Sequence, residues 1–193
     1  MKRICVFAGS SAGGRSEYAD GAERLGRTLA GRGLELVYGA GDVGLMGVLA
    51  DSAIGAGGHA IGIIPRALVN RDVAHRGLPD LHIVSSMHER KALMAELSDG
   101  FIALPGGLGT FEEFTEILTW AQLGIHSKPC GLLNIVGYYD RWLEFLDQAV
   151  AESFVAQKYR DLVLVESDAN VLLDRFERYR PPDIKRWADS TET

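Results

Sequence analysis

Phe101-Ile102-Ala103-Leu104-Pro105-Gly106-Gly107-Leu108-Gly109-Thr110-Phe111-Glu112-Glu113 reads as a strand, a glycine-rich turn and the opening of a helix. Phe101 to Leu104 form a short continuous apolar run, as expected of a strand buried on both faces. Gly106, Gly107 and Gly109 then leave the backbone bare. Successive glycines let N–H groups converge on an anion, and the helix N-terminus behind them adds a favourable dipole. No Gly-Lys-Ser/Thr follows, which separates this turn from the phosphate loop of nucleoside triphosphatases. Thr110 and Glu113 also fit a capping box, with Thr110 as N-cap and Glu113 at the third helical position. The pattern leaves a cap and a catalytic carboxylate equally open.

The same strand–turn–helix grammar recurs along the chain. Strands are predicted at residues 3–8, 34–38, 60–64, 82–84, 101–104, 131–134 and 162–165. Helices are predicted at 18–32, 44–56, 87–98, 111–122, 139–152 and 168–179. This alternation predicts an α/β fold, a single Rossmann-like doubly wound parallel sheet with helices on both faces. One nucleotide-binding domain is expected over residues 1–180. Pro181-Pro182 ends the last helix, and residues 181–193 read as a polar C-terminal tail that frays. Ligands of such sheets bind at the carboxyl ends of the strands. That rule directs attention to the turns at 9–14, 39–44, 85–91 and 105–113.

Gly39-Ala40-Gly41-Asp42-Val43-Gly44 matches G-x-G-x-x-G between a strand and a helix. The dinucleotide fingerprint also needs an acid about 20 residues later for a ribose hydroxyl. The next strand ends Ile63-Ile64-Pro65-Arg66 instead. Arg66 would suit a 2'-phosphate, which keeps an NADP-binding reading in play. A plain turn packing helix against strand is the preferred reading. In Ser85-Ser86-Met87-His88-Glu89-Arg90-Lys91, two cations open a helix, where the dipole disfavours them. An anionic ligand or a carboxylate partner explains that better than a solvated face with Glu89 as counter-charge. Arg90 shares a stripe with Met94 and Leu97, so it is expected at the rim of the core. Gly9-Ser10-Ser11-Ala12-Gly13-Gly14 offers hydroxyls and N–H groups to a nucleoside, or is a simple loop.

Composition narrows the partners. The chain has 193 residues, and its formal charge of -6 argues against non-specific nucleic-acid binding, which needs a basic face. No run approaches the roughly 20 apolar residues of a membrane helix, so no membrane partner is expected. Cys5 and Cys130 sit in apolar runs and read as reduced core thiols, which suits a cytoplasmic protein. The histidines are scattered, so no metal site is expected.

Several segments together carry a family pattern. Pro105 to Glu113 fits PGGxGTxxE, and Met87-His88-Glu89-Arg90-Lys91 fits an arginine–lysine motif. Val6-Phe7-Ala8-Gly9-Ser10-Ser11, Val43-Gly44-Leu45-Met46-Gly47, Ser98 to Leu104 and Thr119 to His126 match as well. From about Val6 to Glu152 the chain resembles the LONELY GUY family of cytokinin-activating phosphoribohydrolases. Ala40 stands where that family usually has glycine, and Ala8 where it often has cysteine. The resemblance implies hydrolysis of the N-glycosidic bond of an N6-modified adenosine 5'-monophosphate, with plain AMP as a further candidate. It implies free base and ribose 5-phosphate as the products. It implies Arg90 and Glu113 as catalytic residues. Gly9, Ser10, Gly106, Gly107, Leu108, Gly109 and Thr110 would hold substrate and phosphate, with Lys91 and Thr119 as further contacts. Glu113, at a helix N-terminus, is expected to stay ionised. No cofactor is required, and a homodimer with active sites near its interface is implied. Some relatives carry the label lysine decarboxylase, but nothing here resembles a pyridoxal-phosphate lysine site. The alternatives are an NADP-binding protein or a carrier of the same fold for a phosphorylated ligand such as molybdenum cofactor.

Overall fold

The computed structural model describes residues 1–69, 75, 78 and 80–184. The chain runs β1 (Arg3–Phe7), α1 (Ser16–Gly31), β2 (Glu35–Tyr38), α2 (Gly44–Gly55), β3 (Ala60–Pro65), α3 (Arg66–Val69), β4 (Asp80–Val84) and α4 (Met87–Leu97). It continues with β5 (Gly100–Ala103), α5 (Leu108–Gln122), β6 (Cys130–Leu133), a 3-10 turn (Ile135–Gly137), α6 (Asp140–Ala151), α7 (Gln157–Arg160), β7 (Val163–Glu166) and α8 (Ala169–Arg178). All seven predicted strands are present, within a residue or two of their expected limits. The short helices α3 and α7 were not anticipated, because four residues carry too little periodicity to read. Of the polar tail, residues 185–193 lie outside the described residues.

The strands form one sheet in the order β4-β3-β2-β1-β5-β6-β7. Every pairing is parallel, with Cys5 opposite Val37 on one side and Phe101 on the other. From β1 the chain winds outward to the β4 edge, then α4 carries it back to β5 beside β1. The winding therefore reverses between β1 and β5, and a crevice opens there at the carboxyl ends of the strands.

Strand residues alternate between two apolar layers. Ile4, Val6, Leu36, Tyr38 and Ile102 face α1, α2 and α8, against Leu25, Leu49 and Leu172. Cys5, Phe7, Val37, Ile63 and Phe101 face the opposite way, against Met94 of α4 and Phe114 and Ile117 of α5. Cys5 and Cys130 are free, buried thiols in this second layer, and burial raises both above the usual thiol range. Arg90 and Glu113 belong to the same face, so the sheet delivers them to one end of one layer.

Candidate active site

Three turns interlock at the carboxyl ends of β1, β2 and β5. Gly9 donates its N–H to the Pro105 carbonyl (3.1 Å), and its own carbonyl accepts from Leu45 (3.0 Å) at the start of α2. A Cβ on Gly106 would stand 2.1 Å from Thr110 Oγ1 and 2.9 Å from Gly9 N. Gly44 has φ +62, and a Cβ there would lie 2.3 Å from the Ser10 carbonyl carbon. The glycines thus let the backbones of three turns touch. Tyr138 adds a hydrogen bond from its hydroxyl to the Gly106 carbonyl (2.5 Å). A cavity of about 280 Å³ remains beside the clasp, lined in part by Ser10, Tyr18, Gly106, Gly107 and Tyr138. The Gly39–Gly44 turn is not an open cradle. Gly44 is filled by the Ser10–Ser11 backbone and Gly39 by Arg90.

Helix α5 begins earlier than expected, and this changes the role of Thr110. Its N-cap is Gly107, with no side-chain cap, so Thr110 is the third helical residue and Glu113 lies in the second turn. The capping-box reading of Thr110 and Glu113 is therefore wrong. Tertiary contacts to Gly106 and Pro105 hold the turn and override the weak helix propensity of Gly109. The first N–H groups of a helix have no intrahelical partner, and here no side chain among the described residues takes them. Gly107, Leu108 and Gly109 are exposed, Leu108 at 86%, while Thr110 is buried against Gly106. A Ser-x-x-Glu cap does occur at α4. Ser86 Oγ accepts from Glu89 N (3.1 Å), and the Glu89 carboxylate accepts from Ser85 N (2.7 Å) and the Ser85 hydroxyl. Glu89 is thus committed to Ser85 and is not the counter-charge of Arg90.

That counter-charge is Glu113. Arg90 Nη2 lies 3.4 Å from Glu113 Oε1, with both side chains 11% exposed. Arg90 Nη1 rests 3.7 Å from Met87 Sδ, and its Nε is buried with no hydrogen-bond partner among the described residues. The expected support of Glu113 by a helix N-terminus is not what the structure provides, because Glu113 lies in the second turn of α5. One turn into α5, burial pushes the Glu113 carboxyl above the usual carboxylate range, and Arg90 pulls it only part of the way back. A buried ion pair is a weak device for stability. An idle buried donor and a carboxyl displaced by burial instead make this pair the candidate site.

The remaining candidates fall around this pair. Lys91 Nζ lies 2.5 Å from Glu112 Oε1 and 2.9 Å from Glu116 Oε2. Burial lowers the Lys91 ammonium, and the two carboxylates more than offset it. Lys91 therefore ties α4 to α5. Thr119 is exposed, and its hydroxyl donates to the Thr115 carbonyl (2.8 Å). Within one subunit Thr119 stands apart from the clasp. The sequence marks Gly39 only as part of a packing turn, without its contact to Arg90, and does not single out Tyr18 or Tyr138. The rule of carboxyl-end turns would have reached Tyr138, since it follows β6, had that turn been weighed with the other four.

Fold and site together define an α/β protein with a glycine-rich turn and a buried Arg–Glu pair at the switch point of a parallel sheet. A family model described as "Possible lysine decarboxylase" matches residues 46–176. A probable cytokinin riboside 5'-monophosphate phosphoribohydrolase of Oryza sativa subsp. japonica is 50% identical over 181 residues, 94% of this chain and 80% of the relative. A cytokinin riboside 5'-monophosphate phosphoribohydrolase of Arabidopsis thaliana is 48% identical over 181 residues, covering 94% and 85%. The chain belongs to this family, the LONELY GUY phosphoribohydrolases. Among solved structures, the molybdenum cofactor carrier protein of Chlamydomonas reinhardtii aligns with a TM-score of 0.68 at 22% identity, over 92% of this chain and 96% of that one. The molybdenum cofactor binding protein of Rippkaea orientalis gives 0.68 at 21%, over 92% and 97%. At that identity the likeness shows a shared fold.

Proposed function

We propose that the protein hydrolyses the bond between the purine and C1' of an adenosine 5'-monophosphate, N6-modified or plain, releasing free base and ribose 5-phosphate. The observation that carries this reading is the buried Arg90–Glu113 pair, one helical turn from an uncapped α5 N-terminus, in a family of phosphoribohydrolases. Residues three apart on a helix lie about 5–6 Å from each other. Thr110 and Glu113 therefore have a spacing comparable with the reach from a 5'-phosphate to the anomeric carbon of the same nucleotide.

The phosphate binds the N–H groups at Gly107, Leu108 and Gly109, with the Thr110 hydroxyl, Gly106 and Ser10 completing the cradle and Gly9 contributing by holding the turns together. This anchor is remote from the bond that breaks, and its binding energy aligns the sugar. As the C1'–N9 bond lengthens, positive charge builds on the ribose ring, and the Glu113 carboxylate stabilises it. Glu113 then takes a proton from the attacking water and releases it to solvent, and the departing base takes one proton from solvent on its ring nitrogen, so the hydroxyl goes to C1' and the proton balance closes. Arg90 restrains Glu113 and offers its unused donors to the substrate. Lys91 contributes through the position of α5. Thr119 is exposed on α5 and acts across the subunit interface. No step calls for a metal or an organic cofactor. We further propose a cytoplasmic homodimer, supported by the reduced core thiols and by the half-buried apolar residues of α5.

The test is incubation with AMP and with N6-isopentenyladenosine monophosphate, followed by chromatography. Free base and ribose 5-phosphate in equal amounts are expected. Binding of either nucleotide without base release would point to a carrier instead.

A further inference from the structure

We infer that Gly39 is a positioning residue, and that its missing side chain is the seat in which the Arg90 guanidinium rests. A Cβ built on Gly39 would fall 1.8 Å from Arg90 Nη2 and 2.9 Å from Cζ, distances no neighbouring atoms can share. The backbone itself does not demand glycine here. Positive φ values in this turn occur at Ala40 (+57) and Gly44 (+62), not at Gly39. Only the guanidinium excludes a side chain.

The seat has three walls. The end of β2 forms the floor, the Met87 thioether stands 3.7 Å from Nη1, and the Glu113 carboxylate faces Nη2 at 3.4 Å. The floor is itself held in place. His75 N donates to the Ala40 carbonyl (2.9 Å), and Ala40 is fully buried against Gly62 of β3. The floor therefore cannot drop away from a new methyl group, whereas the Arg90 side chain can swing. A substitution at Gly39 thus acts on Arg90 before it acts on the fold. This distinguishes Gly39 from Gly44, where a new Cβ would meet backbone atoms. It also gives the glycine of this turn a use that owes nothing to dinucleotide binding.

The inference rests on the phosphoribohydrolase reading only for its effect on turnover, so the experiment has a structural arm. Gly39→Ala is made in the native protein and in the Arg90→Ala background. In the native background, base release from AMP is expected to fall about 100-fold, the scale of a 1 Å misplacement at a catalytic group. A crystal structure of Gly39→Ala should show Nη2 displaced by more than about 1 Å and its contact with Glu113 broken. In the Arg90→Ala background the new methyl enters vacated space, so Gly39→Ala should leave the melting temperature of that variant unchanged. An unmoved guanidinium in the crystal structure overturns the inference, as does an equal loss of melting temperature in both backgrounds. If the native protein releases no base, the proposed function fails, and the crystal structure still decides the role of Gly39.

Discussion

Glu113 combines two properties that pull in opposite directions. It is buried in a pair with Arg90, and its carboxyl is held above its usual range. If the ionised form stabilises the ribosyl cation, the acid limb of kcat/KM lies above 4.5, the ordinary value for a glutamate. Arg90→Ala removes a cation that favours ionisation and should move the limb to higher pH. Where turnover is too low to follow, NMR titration of the Glu113 carboxyl reads the same shift. A limb at or below pH 4.5 would sink the assignment. Ionising Glu113 also opposes folding. Its contribution to stability is largest below the ordinary glutamate value and shrinks as pH rises through the displaced one. Glu113→Gln keeps the shape and an acceptor for Arg90 but loses the charge and the base. Turnover should drop by about 100-fold or more, with the melting temperature little changed. The signal for this pair was in the sequence, because a cation at a helix start asks for a partner. The identity of the partner was not, since Glu89, one residue from Arg90, competes with Glu113, 23 positions away, and only contact geometry shows that Ser85 holds Glu89.

At the scale of elements, the site depends on turns that touch. The turn before α2 meets the turn after β1 at Gly44, where φ is +62 and the nearest atoms belong to the Ser10–Ser11 backbone. Gly44→Ala adds left-handed strain of about 1–2 kcal/mol to overpacking of about 1–3 kcal/mol. The expected loss is therefore at least about 2 kcal/mol, read as a lower denaturation midpoint at unchanged slope, together with weaker AMP binding. A midpoint within experimental error of the native protein would show that the turns are not a clasp. Helices α4 and α5 are joined by the Arg90–Glu113 and Lys91–Glu112 contacts, which makes their relative position part of the site. Strand and helix positions were legible because long apolar runs and 3.6-residue periods are local signals. The start of α5 was not. A threonine followed by glutamate three residues later looks like a cap, yet the glycine turn is held by Pro105, Gly9 and Tyr138, none of which advertises the contact.

At the scale of the whole molecule, α5 carries apolar residues around much of its circumference. Phe114, Ile117 and Ala121 are buried in the subunit, whereas Phe111, Leu118 and Trp120 remain half-buried. A twofold dimer is the common way to cover such a surface. Light scattering at low micromolar concentration should give about twice the 21.0 kDa chain mass; a monomer mass would reject the dimer. Mixing inactive Arg90→Ala and Glu113→Gln proteins asks whether sites are shared. Since Arg90 and Glu113 are already paired within one chain, recovery of activity would mean that the pair also works across the interface.

By itself the sequence determined the layers of this protein. Alternating apolar runs and helical periods require a parallel sheet covered on both faces, and the glycine turns after β1, β2 and β5 mark its carboxyl-end edge, because those signals depend on near neighbours along the chain. Tertiary structure alone decided which groups meet there. Arg90 reaches Glu113, Lys91 reaches Glu112, and the guanidinium occupies the space where Gly39 has no side chain. These contacts join residues 21 to 51 positions apart, and their partners follow from how α4 crosses back beneath the sheet to bring the chain from β4 to β5. A crossover path leaves no local pattern in the residues it connects, so the physical reason for their pairing exists only once the sheet has formed.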